Sequence, residues 1–101
     1  MRLNNNELAE IYQNEKWMPI CGHWFWNDNI GSKLFCQELG YQNGNIKQGS
    51  VKQFPLPEDG FRIGQCKAND IWPNCSGRKS SDCLSGAMAG IKIECTGSNG
   101  L

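Results

Sequence analysis

Long apolar runs, closely spaced metal ligands and a glycine-rich phosphate loop are all missing from this sequence. Without a stretch of roughly 20 apolar residues, no segment is expected to insert into a bilayer. The 12 glycines stand singly among turns, which excludes the loop that cradles nucleotide phosphates. His23 is the single histidine, and a lone histidine in a tryptophan-rich segment is more often structural than a catalytic base, so we predict no catalytic residue and no enzyme activity.

A net charge is missing as well, since 10 Lys and Arg residues balance 10 Asp and Glu residues. We therefore expect neither nucleic acid nor a membrane surface as a partner of the molecule, and no pattern calls for a cofactor. The residues after Met1 lack the apolar stretch of a secretory signal. We interpret the chain as a domain excised from a larger multidomain protein.

Cysteine, in contrast, is abundant: there are six residues and no Cys-x-x-Cys pair. A zinc site is the alternative to disulfides, but it favours close ligand pairs, and here the shortest gap holds seven residues. We therefore predict three disulfides and an extracellular setting, either as a secreted protein or as an ectodomain. The residues alone leave the pairing open. The cysteines are Cys21, Cys36, Cys66, Cys75, Cys83 and Cys95.

The first 21 residues predict a β-hairpin. Two β-prone runs, Leu8–Tyr12 and Trp17–Cys21, flank the four polar residues 13–16. Pro19 has no N–H to donate to a sheet, so the second run is expected at a sheet edge or beside a bulge.

A change of period after the hairpin predicts one helix over about residues 29–39. Asn27 or Asp28 can cap its start, and Gly40 can end it. Apolar residues recur at helical spacing and define a buried face with Cys36 on or beside it. The residues expected to be buried there are Leu34, Phe35 and Leu39.

The rest of the chain predicts short strands at 51–54, 61–65 and 91–95, with disulfide-held loops over 66–83. One helix packed on a sheet is an α+β arrangement. A chain of 101 residues has room for a single domain, 1–101, with its core in 2–95 and a flexible polar tail at 96–101.

Four short motifs stand in order along the chain. They are Ala9-Glu10-Ile11-Tyr12, Trp17 four residues before Cys21, Cys36-Gln37-Glu38-Leu39-Gly40-Tyr41, and Ala89-Gly90-Ile91 leading to Cys95. Together they resemble the scavenger receptor cysteine-rich (SRCR) domain family, in its six-cysteine subgroup. The resemblance implies the disulfides Cys21–Cys83, Cys36–Cys95 and Cys66–Cys75. It also implies a curved sheet of about six strands that cradles the single helix.

The chain departs from the family where many members hold calcium on carboxylates, the ligands that this ion prefers. Gly22-His23 follows Cys21, and Ala87-Met88 precedes Ala89-Gly90, so no carboxylate stands at either place. The chain is a divergent member by this resemblance. We predict no metal site and calcium-independent binding.

Basic residues near the Cys66–Cys75 segment are candidate contacts for a polyanionic ligand. The alternative is that these charges only keep the surface soluble. The four residues are Arg62, Lys67, Arg78 and Lys79.

A second candidate surface is the run Trp24-Phe25-Trp26, in which consecutive rings must point in different directions. Trp24 or Trp26 is expected to be exposed as an anchor for a protein ligand. Alternatively, two rings fill the core and one shields a disulfide. Separately, Asn74-Cys75-Ser76 fits the N-glycosylation pattern, which makes Asn74 a candidate acceptor.

The leading hypothesis is a non-catalytic extracellular recognition module of the scavenger-receptor type, which binds a protein or a polyanion. One alternative is an accessory stem domain of a larger protein such as a membrane-anchored serine protease, because Trp17–Cys21 and Trp26–Gly31 resemble such stems. A small secreted inhibitor or enzyme is a third hypothesis, but no reactive loop or nucleophile–base pair is apparent. A collagenous or repeated-domain neighbour would favour the receptor, and a downstream protease domain the stem.

Overall fold

The computed structural model describes residues 1–22, 24–49, 60–78, 83 and 90–97. The strand predicted at 51–54 lies outside the described residues. So do Lys79, His23, Ala87 and Met88, and the end of the chain from residue 98.

The predicted hairpin is confirmed. Strands β2 (Ala9–Gln13) and β3 (Lys16–Pro19) are antiparallel, and a short β1 (Arg2–Leu3) pairs with the other side of β2. The turn has two residues and not the four expected, because Gln13 pairs with Lys16. Asn14 and Glu15 both have positive φ, 55° and 65°, as tight hairpin turns that match the twist of the strands require. β3 is an edge strand of this sheet, where Pro19 was expected.

The predicted helix is confirmed as α1 (Ile30–Glu38). The N-cap residue is Asn29, which makes no side-chain cap hydrogen bond, but the Asp28 carboxylate just before it accepts a hydrogen bond from the Ile30 N–H at 3.0 Å. At the other end Gly40 has φ 98°, and the N–H of the following Tyr41 bonds back to the Cys36 carbonyl at 2.9 Å.

The buried face of α1 is centred differently from the prediction. Phe35 and Cys36 are fully buried, but Leu34 and Leu39 are only half-buried at the margin of the core. Gly31 and Ser32 explain the difference because their small size allows close approach. A Cβ on Gly31 would lie 2.5 Å from the Phe25 ring, and the Ser32 hydroxyl donates to the Gly44 carbonyl at 3.1 Å.

Strands β4 (Asn43–Gln48) and β5 (Lys92–Thr96) form a second antiparallel pair, with an irregularity between Ile46 and Gln48. The strand predicted at 91–95 is therefore confirmed within one residue. Thr96, expected in the flexible tail, instead ends β5 and pairs with Asn43.

The α+β class is confirmed, but the described residues hold five strands in two sheets and not one sheet of about six. The sheets join where Leu8 bridges Lys92, and where the Ala9 N–H donates to the Ile91 carbonyl at 3.1 Å. No strand forms at 61–65. Its two ends bridge different partners, Phe61 with Ile20 and Gln65 with Gly77, so a continuous ladder cannot form.

Three disulfides connect these elements. They join Cys21 to Cys83, Cys36 to Cys95 and Cys66 to Cys75, with Cα–Cα distances of 5.6, 5.4 and 4.7 Å. The second link ties α1 to β5 across the main core. That core includes Ile20, Phe25, Phe35, Ile63, Ile91 and Ile93, all with 1% exposure or less.

Candidate ligand-binding site

The loop closed by Cys66 and Cys75 is held in place by an aromatic side chain as well as by its disulfide. Trp72 packs edge-to-face on Phe25 and on Phe35, with ring centroids 6.1 and 5.6 Å apart. Such pairs favour a fixed ring orientation. The sequence predicted a loop held by disulfides, and the structure adds this aromatic anchor in the core.

Asp70 lies within the same loop and stabilises it through hydrogen bonds. Its carboxylate accepts hydrogen bonds from the Ser76 N–H and the Lys67 N–H, both at 2.8 Å, and from the Ser76 hydroxyl at 3.1 Å. The bonds from the Ser76 and Lys67 backbones lower the pKa of Asp70 from its ordinary 3.8. This contribution to loop stability is therefore present above pH 3.8 and is lost as the pH falls through the lowered pKa.

Three of the predicted basic residues lie on or beside this loop. Arg62, Lys67 and Arg78 are all exposed. The Arg78 side chain is positioned by its Nη2, which donates to the Pro73 carbonyl at 2.7 Å, and by the Phe61 ring, whose centroid lies 5.9 Å from Cζ. Lys79, the fourth predicted contact, lies outside the described residues.

These cations differ in their ion pairing from Arg2 and Lys47, which lie on the sheets. Arg2 bonds Glu10 and Lys47 bonds Glu7, each at 2.8 Å, and the Glu7 contact raises the pKa of Lys47. In the part of the chain that the structure describes, no carboxylate forms a salt bridge with Arg62, Lys67 or Arg78. Lys67 interacts electrostatically with Asp70, which helps to lower the pKa of that carboxyl, but it forms no salt bridge with it.

We expected Trp24 or Trp26 to be exposed, but neither of them is. Phe25 fills the core with 1% exposure, and both tryptophans are half-buried. Trp26 covers Gly49 so closely that a Cβ there would lie 2.8 Å from its Cε3. The run contributes to packing more than to a free surface, since the short 3₁₀ helix Phe25–Asn27 turns its rings toward the protein.

The exposed aromatic pair lies on the hairpin instead. Tyr12 and Trp17 are 55% and 36% exposed and pack edge-to-face with centroids 5.2 Å apart. The Arg2 guanidinium stacks 4.0 Å from the Trp17 centroid and also bonds the nearly buried Glu10. Sequence reasoning missed this cluster. The predicted hairpin already places Tyr12 opposite Trp17, because the four-residue and the two-residue turn share one register, but it does not indicate which face stays exposed.

Asn74 has an exposed side chain, so the predicted glycosylation site is on the surface. Modification of Asn74 stays a prediction. Among the described residues no group of three or more His, Cys, Asp or Glu side chains is arranged to hold a metal ion. The same residues include no helix long and apolar enough to span a bilayer.

The disulfides pair as the SRCR resemblance implies, first cysteine with fifth, second with sixth and third with fourth. By its motifs and its disulfides, the chain is similar to a six-cysteine SRCR domain. Among solved structures it is similar to the SRCR domain of mouse MARCO in its dimeric form, with a TM-score of 0.48 and 24% identity. That match covers 86% of this chain and 84% of the other. No protein-family model and no curated protein matches the chain.

Proposed function

We propose that this SRCR-like domain is a non-catalytic, extracellular recognition module that binds polyanions at the Cys66–Cys75 loop. The supporting observation is the set of exposed cations on or beside a loop that a disulfide and Trp72 fix, namely Lys67 within the loop and Arg62 and Arg78 on either side of it. Three disulfides fit an oxidising, extracellular setting.

The loop also supplies the right donors. A guanidinium carries five N–H donors, and the bond from Arg78 to Pro73 uses one nitrogen while the others face no carboxylate among the described residues. Sulfates and phosphates accept paired hydrogen bonds from such a planar group. Fixing the side chain beforehand lowers the entropy lost on binding. Asp70 adds one negative charge, but three donors of the loop itself engage it.

Replacing Arg62 and Arg78 together by Ala should release the protein from a heparin column at a lower salt concentration. Exposed charges are screened over about 8–10 Å at physiological ionic strength, so retention depends on the cations close to the bound polyanion and weakens when these two are lost. The melting temperature should stay close to that of the wild type, because exposed charges contribute little to stability. The measurement is the eluting salt concentration, read together with a thermal melt.

The matched control is the double replacement of Lys16 and Lys47 by Ala, which removes the same charge from the two sheets. It should elute close to the wild type. Equal shifts for both variants would mean that only net charge matters, and the loop proposal would then be wrong. Retention should also be the same with millimolar calcium and with a chelator, because we propose calcium-independent binding.

A protein ligand is the second candidate, and it is favoured by the hairpin cluster of Arg2, Tyr12 and Trp17. Arg, Tyr and Trp are the residue types that most often dominate protein interfaces. In the stem-domain alternative this cluster would contact a neighbouring domain. If the loop variant binds heparin as the wild type does, the hairpin cluster becomes the better candidate. The inhibitor or enzyme hypothesis has no comparable feature among the described residues.

A further inference from the structure

A cavity is lined by residues of α1, by Asn43 of β4 and by Ala68 of the Cys66–Cys75 loop. Its volume is about 390 Å³, within the range of roughly 300–1,000 Å³ that small-molecule sites occupy. Ile30 and Leu34, four residues apart and so on one face of the helix, line it together with Ala68. Both α1 residues are half-buried, so they offer an apolar surface without leaving the core.

The polar groups around this cavity are mostly donors. Asn29 Oδ1 accepts the Ile46 N–H, and Asn43 Oδ1 accepts the Gly44 N–H, each at 2.9 Å. Because those bonds occupy the oxygens, each side chain keeps its Nδ2 amino group as the free donor. Amide orientation is thereby set by the backbone bonds.

Lys33 adds the one charge among the lining residues. Its side chain is exposed, and no carboxylate within the described ranges forms a salt bridge with it. No acidic residue lines the cavity, and Gln37, whose Nε2 donates to the Gln42 carbonyl at 3.2 Å, supplies the one side-chain amide oxygen left free. The cavity therefore combines an apolar surface with an excess of donors and one positive charge.

We propose that this cavity binds a small amphipathic monocarboxylate. The apolar part of the ligand lies on Ile30, Leu34 and Ala68, and its carboxylate accepts hydrogen bonds from Lys33 Nζ and the two asparagine amino groups. A charge-assisted hydrogen bond to the ammonium supplies the preference for a carboxylate over a neutral head group. The proposal is distinct from polyanion binding, because its ligand contacts none of Arg62, Lys67 and Arg78, although Ala68 follows Lys67 in the Cys66–Cys75 loop.

The test is a titration of the isotopically labelled protein with octanoate, followed by amide and side-chain NMR shifts. Octanoate in the millimolar range should shift the backbone signals of Ile30, Lys33 and Leu34 and the side-chain amides of Asn29 and Asn43. Octanol and octylamine have the same chain without a carboxylate, and each should bind roughly tenfold more weakly, as expected for loss of one charge-assisted bond.

Variants of Lys33 separate the effect of its charge from any effect on folding. Lys33→Ala should weaken octanoate binding roughly tenfold, Lys33→Arg should retain it, and the control Lys47→Ala should leave it unchanged. The proposal is overturned if octanoate causes no shifts at these residues, if octanol binds equally well, or if Lys33→Ala binds as the wild type does. Failure here would leave the heparin result untouched, so the two proposals are judged separately.

Discussion

Replacing Cys36 and Cys95 together by Ala should lower the free energy of unfolding by about 4 kcal/mol, one of the largest stability effects that we expect. This disulfide closes a long loop, with a sequence separation of 59, and it joins α1 to β5. In the loop-entropy treatment, the stabilisation grows with the length of chain that the link closes. Denaturant unfolding under oxidising conditions measures the loss.

The matched control removes the short link by replacing Cys66 and Cys75 with Ala. Its sequence separation is 9, for which the same treatment gives about 2.7 kcal/mol. The contacts of Trp72 with Phe25 and Phe35 should still hold the loop. A loss equal to or larger than that of the long link would contradict this account of the two disulfides.

The second large effect is expected at the centre of the helix face. Phe35→Ala should cost about 3–5 kcal/mol, because the ring is fully buried, contacts Trp72 and leaves a cavity that the neighbours fill poorly. Leu39→Ala is the matched comparison. Leu39 is half-buried at the end of α1, so we expect a smaller loss. Equal losses in urea unfolding would place the buried face where the sequence first suggested.

The helix and the hairpin were predictable from the sequence because patterns of neighbouring residues determine them. The helix follows from apolar spacing, Asp28 and Gly40, and the hairpin follows from two β-prone runs around a polar turn. Their details depend on partners far along the chain. Phe25 and Gly44 decide that Gly31 and Ser32, and not Leu34 and Leu39, face the interior.

The candidate site was predictable only in part. The basic residues were apparent from their position beside Cys66 and Cys75, but the fixing of Arg78 by Pro73 is a contact that no sequence pattern indicates. The same is true of Trp72. The sequence predicts it as part of a loop, whereas its ring lies against two core rings. Exposure of Tyr12 and Trp17 depends on which face of the hairpin the rest of the chain covers, and the two strands themselves do not determine that.

The pairing of the cysteines is the claim on which the rest depends, since the SRCR resemblance implies it and it closes the Cys66–Cys75 loop. Peptide mapping, without reductant, of protein produced in an oxidising environment tests it directly. We predict three cross-linked peptides, joining Cys21 to Cys83, Cys36 to Cys95 and Cys66 to Cys75, and no free thiol. A peptide that joins Cys21 to Cys36, or a free thiol in the oxidised protein, would contradict the account.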